Sequence, residues 1–331
     1  MTTAAAPALL HARVLDWYAA HARDLPWRRR DASPWGVLVS EVMLQQTPVS
    51  RVEPVWHAWM QRWPTPSALA GAATGEAVRA WGRLGYPRRA LRLHAAAVAI
   101  RDEHDGQVPA SEAELLGLPG VGAYTAAAVA AFAFGHRTTV VDTNVRRVLA
   151  RTVSGRQHAA PSLTRAELDL AAGLVPEEAA TAARWSVAVM ELGALVCTAR
   201  TPVCAECPVA RLCAWQRAGR PAYEGPPRRG QTWHGTDRQA RGALMAILRE
   251  STSPVTRASL RSAVPDDLRR ERCLDSLVAD GLVEPLARGR FRLPGEPGEQ
   301  GEQGEQGEQE ERGGPESSER AVDHQAGRDA G

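Results

Sequence analysis

The sequence contains no lysine: all 40 of its basic residues are arginine. No side-chain amine is available to form a Schiff base, which excludes a lysine-dependent lyase or aldolase step. Long apolar runs are also missing. None approaches the roughly 18 residues that a membrane-spanning helix needs, so no membrane partner is expected. The alanine-rich start, Met1 to Leu10, has no basic stretch before it and no cleavage site after it. No signal peptide is expected, and the chain reads as cytoplasmic. Disulfides are rare there, and clustered cysteines usually mean metal.

Net charge is scarce too, at +2, but it is unevenly spread. Residues 295–331 hold eleven carboxylates against three arginines, a net of −8, which leaves about +10 on residues 1–294. A basic body with an acidic tail suits a polyanion such as nucleic acid, although a mildly basic enzyme would look the same.

What is present is helical pattern. With 331 residues and 44% of them hydrophobic, one large domain or two smaller ones can be built. Ala, Leu, Val and Trp recur at three- and four-residue spacing with Pro and Gly between segments. The pattern predicts helices over 9–22, 36–46, 49–62, 74–81, 88–104, 111–116, 123–134, 143–152, 164–173, 178–195 and 208–216. Strand-like alternation is scarce, so residues 1–218 read as an all-α domain. Pro221, Gly225, Pro226 and Pro227 mark 219–230 as a linker. Helices over 238–250, 256–262 and 266–280 and a weak alternation from Leu282 to Leu293 then predict a small winged-helix-like unit over 231–294. The Gly-Glu-Gln repeat in 295–331 cannot build a core and is expected to be a disordered acidic tail.

Four of the five cysteines, Cys197, Cys204, Cys207 and Cys213, are spaced C-x6-C-x2-C-x5-C. Four thiolates so close can complete a [4Fe–4S] cluster or a structural zinc site. Cys273 stands apart on a helical pattern and reads as a buried thiol.

Two carboxylates stand out. Asp142 follows a β-branched run, Val140-Val141, and sits where a helix N-cap would. Glu41 lies in an apolar segment, between Val37-Leu38-Val39 and Val42-Met43-Leu44. Lost hydration there should raise its pKa and keep it protonated near neutrality. Taken alone, each also fits a plainer role, a cap for Asp142 and a solvent-facing position for Glu41. Leu118-Pro119-Gly120-Val121-Gly122, about twenty residues before Asp142, is a tight turn with a helix starting directly after it. Such a turn can present backbone N–H groups to a phosphate.

The cysteine spacing resembles the iron–sulfur loop of the endonuclease III and MutY family of DNA glycosylases. The turn at Leu118, Gly120 and Gly122, within about 115–135, resembles that family's helix–hairpin–helix, and Val141-Asp142-Thr143-Asn144-Val145-Arg146-Arg147 the segment after it. Ser40-Glu41-Val42-Met43-Leu44-Gln45-Gln46-Thr47, Leu25-Pro26-Trp27-Arg28, Gly85-Tyr86 and Glu191-Leu192-Gly193-Ala194 resemble signatures of the MutY branch, the adenine glycosylases. The resemblance covers about 25–215, in the correct order.

It implies a two-lobed helical fold, a [4Fe–4S] cluster on the four cysteines, and a monomer that acts on double-stranded DNA of the nucleoid. Adenine opposite 8-oxoguanine or guanine would be extruded and hydrolysed off. Glu41 would protonate the leaving adenine, and Asp142, ionised, would stabilise the cationic sugar. Tyr124 and Asn144 would complete the catalytic group. Trp27, Arg28, Tyr124 and Glu191 would line the adenine pocket. Gln45, Gln46, Thr47 and Tyr86 would meet the DNA stack or the opposite base. Bifunctional relatives carry a nucleophilic lysine where this chain has Tyr124, so a monofunctional hydrolase is implied.

The chain departs from the family pattern in two places. Pro87 stands where an aromatic is common, and the ordered stretch after the linker is too short for the Nudix-related domain that reads 8-oxoguanine. Two other readings stay open: a glycosylase for another mismatched base, such as thymine, and a non-catalytic iron–sulfur DNA-binding protein.

Overall fold

The computed structural model describes residues 5–225 and 235–296. The tail from 297 onward and the stretch 226–234, most of it in the expected linker, lie outside the described residues. Helices dominate. They run α1 (Ala5–His21), α2 (Pro34–Leu44), α3 (Val49–Arg62), α4 (Pro66–Ala70), α5 (Thr74–Trp81), α6 (Arg88–Glu103), α7 (Glu112–Gly117) and α8 (Ala123–Phe134). After these come α9 (Thr143–Thr152), α10 (Arg165–Ala172), α11 (Ala179–Leu195) and the short α12 (Ala214–Arg217). The C-terminal part holds α13 (Asp237–Glu250), β1 (Val255–Thr256), α14 (Arg257–Arg261), α15 (Asp267–Ala279), β2 (Glu284–Leu286) and β3 (Arg290–Arg292).

Local chemistry sets most boundaries. Ser33 caps α2 by accepting from the Gly36 N–H, and Pro34 opens it with a preset φ. Thr164 and Glu167 close a reciprocal capping box on α10. Gly135, at φ +69°, terminates α8 in the left-handed region.

Three expectations shift. The helix expected over 36–46 ends at Leu44, because Gln46 takes φ +56° and turns the chain. The helix expected over 208–216 is mostly an irregular loop wound around the cysteines, with only α12 at its end. Pro66–Ala70 forms a helix that its Pro-rich surroundings hid, capped by the Thr65 hydroxyl.

Two hydrophobic cores make two lobes. One gathers residues of α2–α8, including the fully buried Trp59, Trp81, Leu38 and Met43. The other joins α1 to α9, α11 and the cysteine loop through Val14, Val148, Trp185 and Leu192. Each such buried side chain contributes about 2–3 kcal/mol of apolar transfer free energy. The two halves are stitched where α8 contacts both α2 and α11. α13, α15 and a three-stranded antiparallel sheet ordered β1-β3-β2 join the first core through Leu244, Leu274, Leu277 and Phe291. Cys273 is buried among them, as expected.

Candidate active site

A cleft of about 1680 Å³ opens between the lobes. Five segments far apart in sequence meet at it. The turn Pro26–Arg28 brings Arg28, α2 brings Glu41, the first turn of α8 brings Tyr124, the start of α9 brings Asp142 and Asn144, and α11 brings Glu191.

Glu41 is 4% exposed because α2 is buried on nearly every face from Trp35 to Met43. Its Oε2 accepts from the Tyr124 hydroxyl at 2.9 Å. Burial pushes its carboxyl up to about 7, and the nearby Asp142 charge adds to the rise, against the Tyr124 bond and the Arg28 charge. Because Tyr124 occupies Oε2, Oε1 is left to carry a transferable proton. The sequence-based expectation of a raised pKa therefore has a concrete cause.

Asp142 caps α9. Its Oδ1 accepts from the Val145 N–H and its Oδ2 from the Asn144 amide, both at 2.7 Å. Burial raises its pKa, while these two bonds and the Arg147 charge oppose the rise. Both oxygens accept hydrogen bonds beside a guanidinium, which favours the ionised form, but burial is the larger effect and the net shift is upward. The cap of α9 thus places this carboxylate in the cleft.

Glu191 is fully buried and accepts from the Arg23 backbone N–H, the Arg23 guanidinium and Arg28 NH1. Burial pushes its carboxyl up, but the Arg23 and Arg28 contacts outweigh that and hold it below the usual glutamate range. Its structural effect is to aim Arg28 into the cleft near Glu41. Trp27 reaches the cleft wall but is mainly packed edge-on against Trp56, with ring centroids 5.7 Å apart.

The hairpin is formed by α7, the turn, and α8. Gly120 takes φ +79°, and a Cβ there would lie 2.6 Å from the Arg92 side chain, so glycine is required twice over. Gly122 is exposed and starts α8. Leu118, expected at the DNA surface, is instead buried under the hairpin, where its side chain anchors the turn. Thr47 is corrected in the same way. It is 6% exposed, donates to the Leu84 carbonyl at 3.2 Å and accepts from Arg89 at 2.9 Å. Its hydroxyl holds a turn of the cleft wall. Gln45 donates to the Thr125 hydroxyl at 3.2 Å on the cleft wall, and Gln46 and Tyr86 point outward from turns with positive φ.

The four cysteines line a small cavity of about 20 Å³ together with Leu192, Val196, Pro202, Ala210 and Trp215. Among the described residues, no three His, Cys, Asp or Glu side chains converge as a single metal ion would require. Four thiols around one apolar cavity are the soft donor set that an iron–sulfur cluster takes. Burial pushes the Cys207 thiol up to about 11, helped by the other three thiols. Holding four thiolates here needs the compensating charge that iron supplies.

Comparison with known proteins agrees with this geometry. Residues 39–172 match the HhH-GPD superfamily of base excision DNA repair proteins, and residues 197–213 match the iron–sulfur binding domain of endonuclease III. A thermostable thymine-DNA glycosylase structure superposes with a TM-score of 0.59 at 26% identity, over 66% of this chain and all of that one. An endonuclease III–DNA covalent intermediate gives 0.56 at 22% identity over 66% of this chain and 99% of that one, a likeness of fold. The adenine DNA glycosylases of Mycobacterium tuberculosis and Mycolicibacterium smegmatis are 56% and 57% identical, each over 86% of this chain and 93% and 95% of their own lengths. The chain belongs to the adenine DNA glycosylase family.

In this adenine DNA glycosylase family member the [4Fe–4S] loop is wired to Asn144 and Asp142 by groups that the sequence pattern did not single out. Arg147 donates to the Cys197 carbonyl at 2.7 Å, to the Gly193 carbonyl at 2.7 Å and to Asn144 Oδ1 at 2.6 Å. Asn144 in turn donates to Asp142. Arg151, 2% exposed, donates to the Thr198 and Ala199 carbonyls and lies 3.4 Å from Cys197 Sγ. The purified protein should be brown, with a broad iron–thiolate band at about 400 nm. Stripping the iron should remove colour and cleavage together; a colourless, fully active protein would contradict the assignment.

Gly193 completes the arrangement. A Cβ there would sit 2.7 Å from Asn144 Cβ and 3.1 Å from its Cα and carbonyl oxygen. None of these is a flexible tip, so α11 and α9 would have to separate. Gly193→Ala should slow single-turnover cleavage about 100-fold, the scale of a 1 Å misplacement, while the brown colour persists. An unchanged rate would show that Asn144 need not be held so closely.

Proposed function

We propose that this protein hydrolyses the N-glycosidic bond of adenine mispaired with 8-oxoguanine or guanine in duplex DNA, as a monofunctional enzyme of base excision repair. It would act as a monomer on the nucleoid in the cytoplasm. The observation that carries the reading is the pairing, in one cleft, of a protonatable Glu41 with an Asp142 whose two oxygens accept hydrogen bonds. One carboxyl can give a proton while the other stays charged.

The adenine leaves the duplex and enters the cleft. Glu41 Oε1 donates its proton to the base, so the C1′–N9 bond breaks with a neutral leaving group. Positive charge develops on the sugar, and Asp142 stabilises it electrostatically. Water then adds to C1′, and its proton passes to the Glu41 carboxylate, which restores the acid. Tyr124 holds Glu41, Asn144 holds Asp142, and neither can act as an amine nucleophile. With no lysine in the chain, the abasic product is left without an imine step.

The likeness to a thymine-DNA glycosylase structure keeps one rival alive. A panel of duplexes separates them: adenine opposite 8-oxoguanine, opposite guanine and opposite thymine, and thymine opposite guanine. Cleavage of the first two alone is expected. Reaction on the thymine–guanine pair instead would overturn the adenine assignment.

A further inference from the structure

Tyr86 is an exposed aromatic on a strained turn that Arg89 and Thr47 tie to the cleft-lining turn at Gln46. It is 45% exposed, and its φ of +46° is a conformation an aromatic residue rarely adopts. Its ring lies between two guanidinium groups. Arg89 Cζ is 5.7 Å from the ring centroid and Arg238 Cζ is 5.5 Å. The two arginines differ in what remains free. Arg89 is buried and spent on the carbonyls of Val42, Met43, Gln45 and Gly85 and on the Thr47 hydroxyl. Arg238 is exposed, and among the described residues no carboxylate pairs with it.

Arg238 belongs to the first turn of α13, in the C-terminal part of the chain, yet its place beside Tyr86 is fixed. Arg88, next to the Tyr86 turn, pairs with Asp280 at 3.2 Å, and Arg241 of α13 pairs with the same carboxylate. Arg249 donates to the Val78 carbonyl at 3.1 Å, and Gly75 donates to the Pro294 carbonyl at 2.6 Å. The C-terminal elements are therefore docked behind this turn.

We propose that Arg238 reads the base opposite the excised adenine. The proposal rests on the adenine-excision reading and adds a specificity-determining residue to it. A guanidinium against an aromatic ring keeps its in-plane N–H donors free. Two such donors match the adjacent O6 and N7 acceptors on the major-groove edge of guanine, whereas 8-oxoguanine, whose N7 carries a hydrogen, offers only O6 there; an exposed ring can stack on either base. Arg238 would thus supply readout from a unit much smaller than a dedicated lesion-reading domain.

The test compares wild type, Arg238→Ala and Arg238→Lys in two measurements. Cleavage of adenine opposite 8-oxoguanine by wild type checks the underlying activity; if that fails, the adenine reading falls rather than this one. Kd is then measured on duplexes carrying a non-hydrolysable 2′-fluoro adenosine opposite 8-oxoguanine, guanine or a baseless tetrahydrofuran. Arg238→Ala should weaken binding about 10-fold or more on the guanine duplex, less on the 8-oxoguanine duplex, and leave the tetrahydrofuran duplex unchanged. Arg238→Lys, which keeps the charge but loses the planar fork, should not restore it. An equal loss on all three duplexes would mean a phosphate contact, and no loss on any would remove Arg238 from recognition. Either result, or full rescue by lysine, overturns the proposal.

Discussion

Glu41→Gln should lower the single-turnover cleavage rate by about 10²–10⁴-fold, the usual worth of a positioned general acid, while DNA binding is retained. Glutamine keeps the volume and an oxygen to accept from Tyr124, so the loss isolates the proton. The wild-type pH profile should carry the same signature. With the Glu41 carboxyl pushed up to about 7 by burial, the acid is protonated below that value and depleted above it. The rate should therefore fall as pH rises past 7, and the variant should lack that limb. Stability should fall with rising pH as well. The folded chain keeps this proton while an unfolded glutamate, ordinarily near 4.5, has lost it. Stability therefore drops as pH rises between those values, by up to about 3 kcal/mol. Glu41→Gln removes the penalty, so at pH 8 the variant should melt higher than wild type. A lower melting temperature there would contradict the burial account.

Asp142→Asn should be nearly as damaging, about 10²–10³-fold, because a preorganised charge beside the developing cation is lost. The substitution is close to isosteric, and the side-chain oxygen of asparagine can still accept from the Val145 N–H. The cap of α9 and the fold should persist. Asn144 and Arg147, however, would then be arranged around a group with no charge. The combination of a slow enzyme, a stable fold and an intact iron–sulfur band is the expected pattern. A rate within a few-fold of wild type would reduce Asp142 to a helix cap, the plainer reading its position also allows.

Much of this site was legible in the chain because its chemistry is local. The four cysteines lie within one loop, Glu41 sits inside a continuous apolar helix, and Asp142 precedes a helix at cap position. Helices α3, α5, α8 and α9 were legible to the residue, since capping residues, glycine and proline punctuate them. The misses have a common cause. Adjacent Arg146 and Arg147 look alike in sequence, yet one pairs with Glu167 on the outer side while the other joins Cys197 to Asn144. Arg89 resembles any surface arginine, but it ties together the two turns that present Gln46 and Tyr86. Thr47 and Leu118 sit in DNA-contacting motifs, yet their side chains face inward, because a motif places the backbone near a ligand without saying which side chains point there. The docking of α13 beside Tyr86 joins residues about 150 apart, and no local pattern announces it.

The central claim is hydrolysis of adenine without an imine step. It is tested most directly by incubating wild-type protein with a duplex carrying adenine opposite 8-oxoguanine, then measuring free adenine and strand breaks before and after alkali. The account predicts stoichiometric release of adenine, with breaks only after alkali. Breaks before alkali, or no adenine released from an iron-loaded protein, would contradict it.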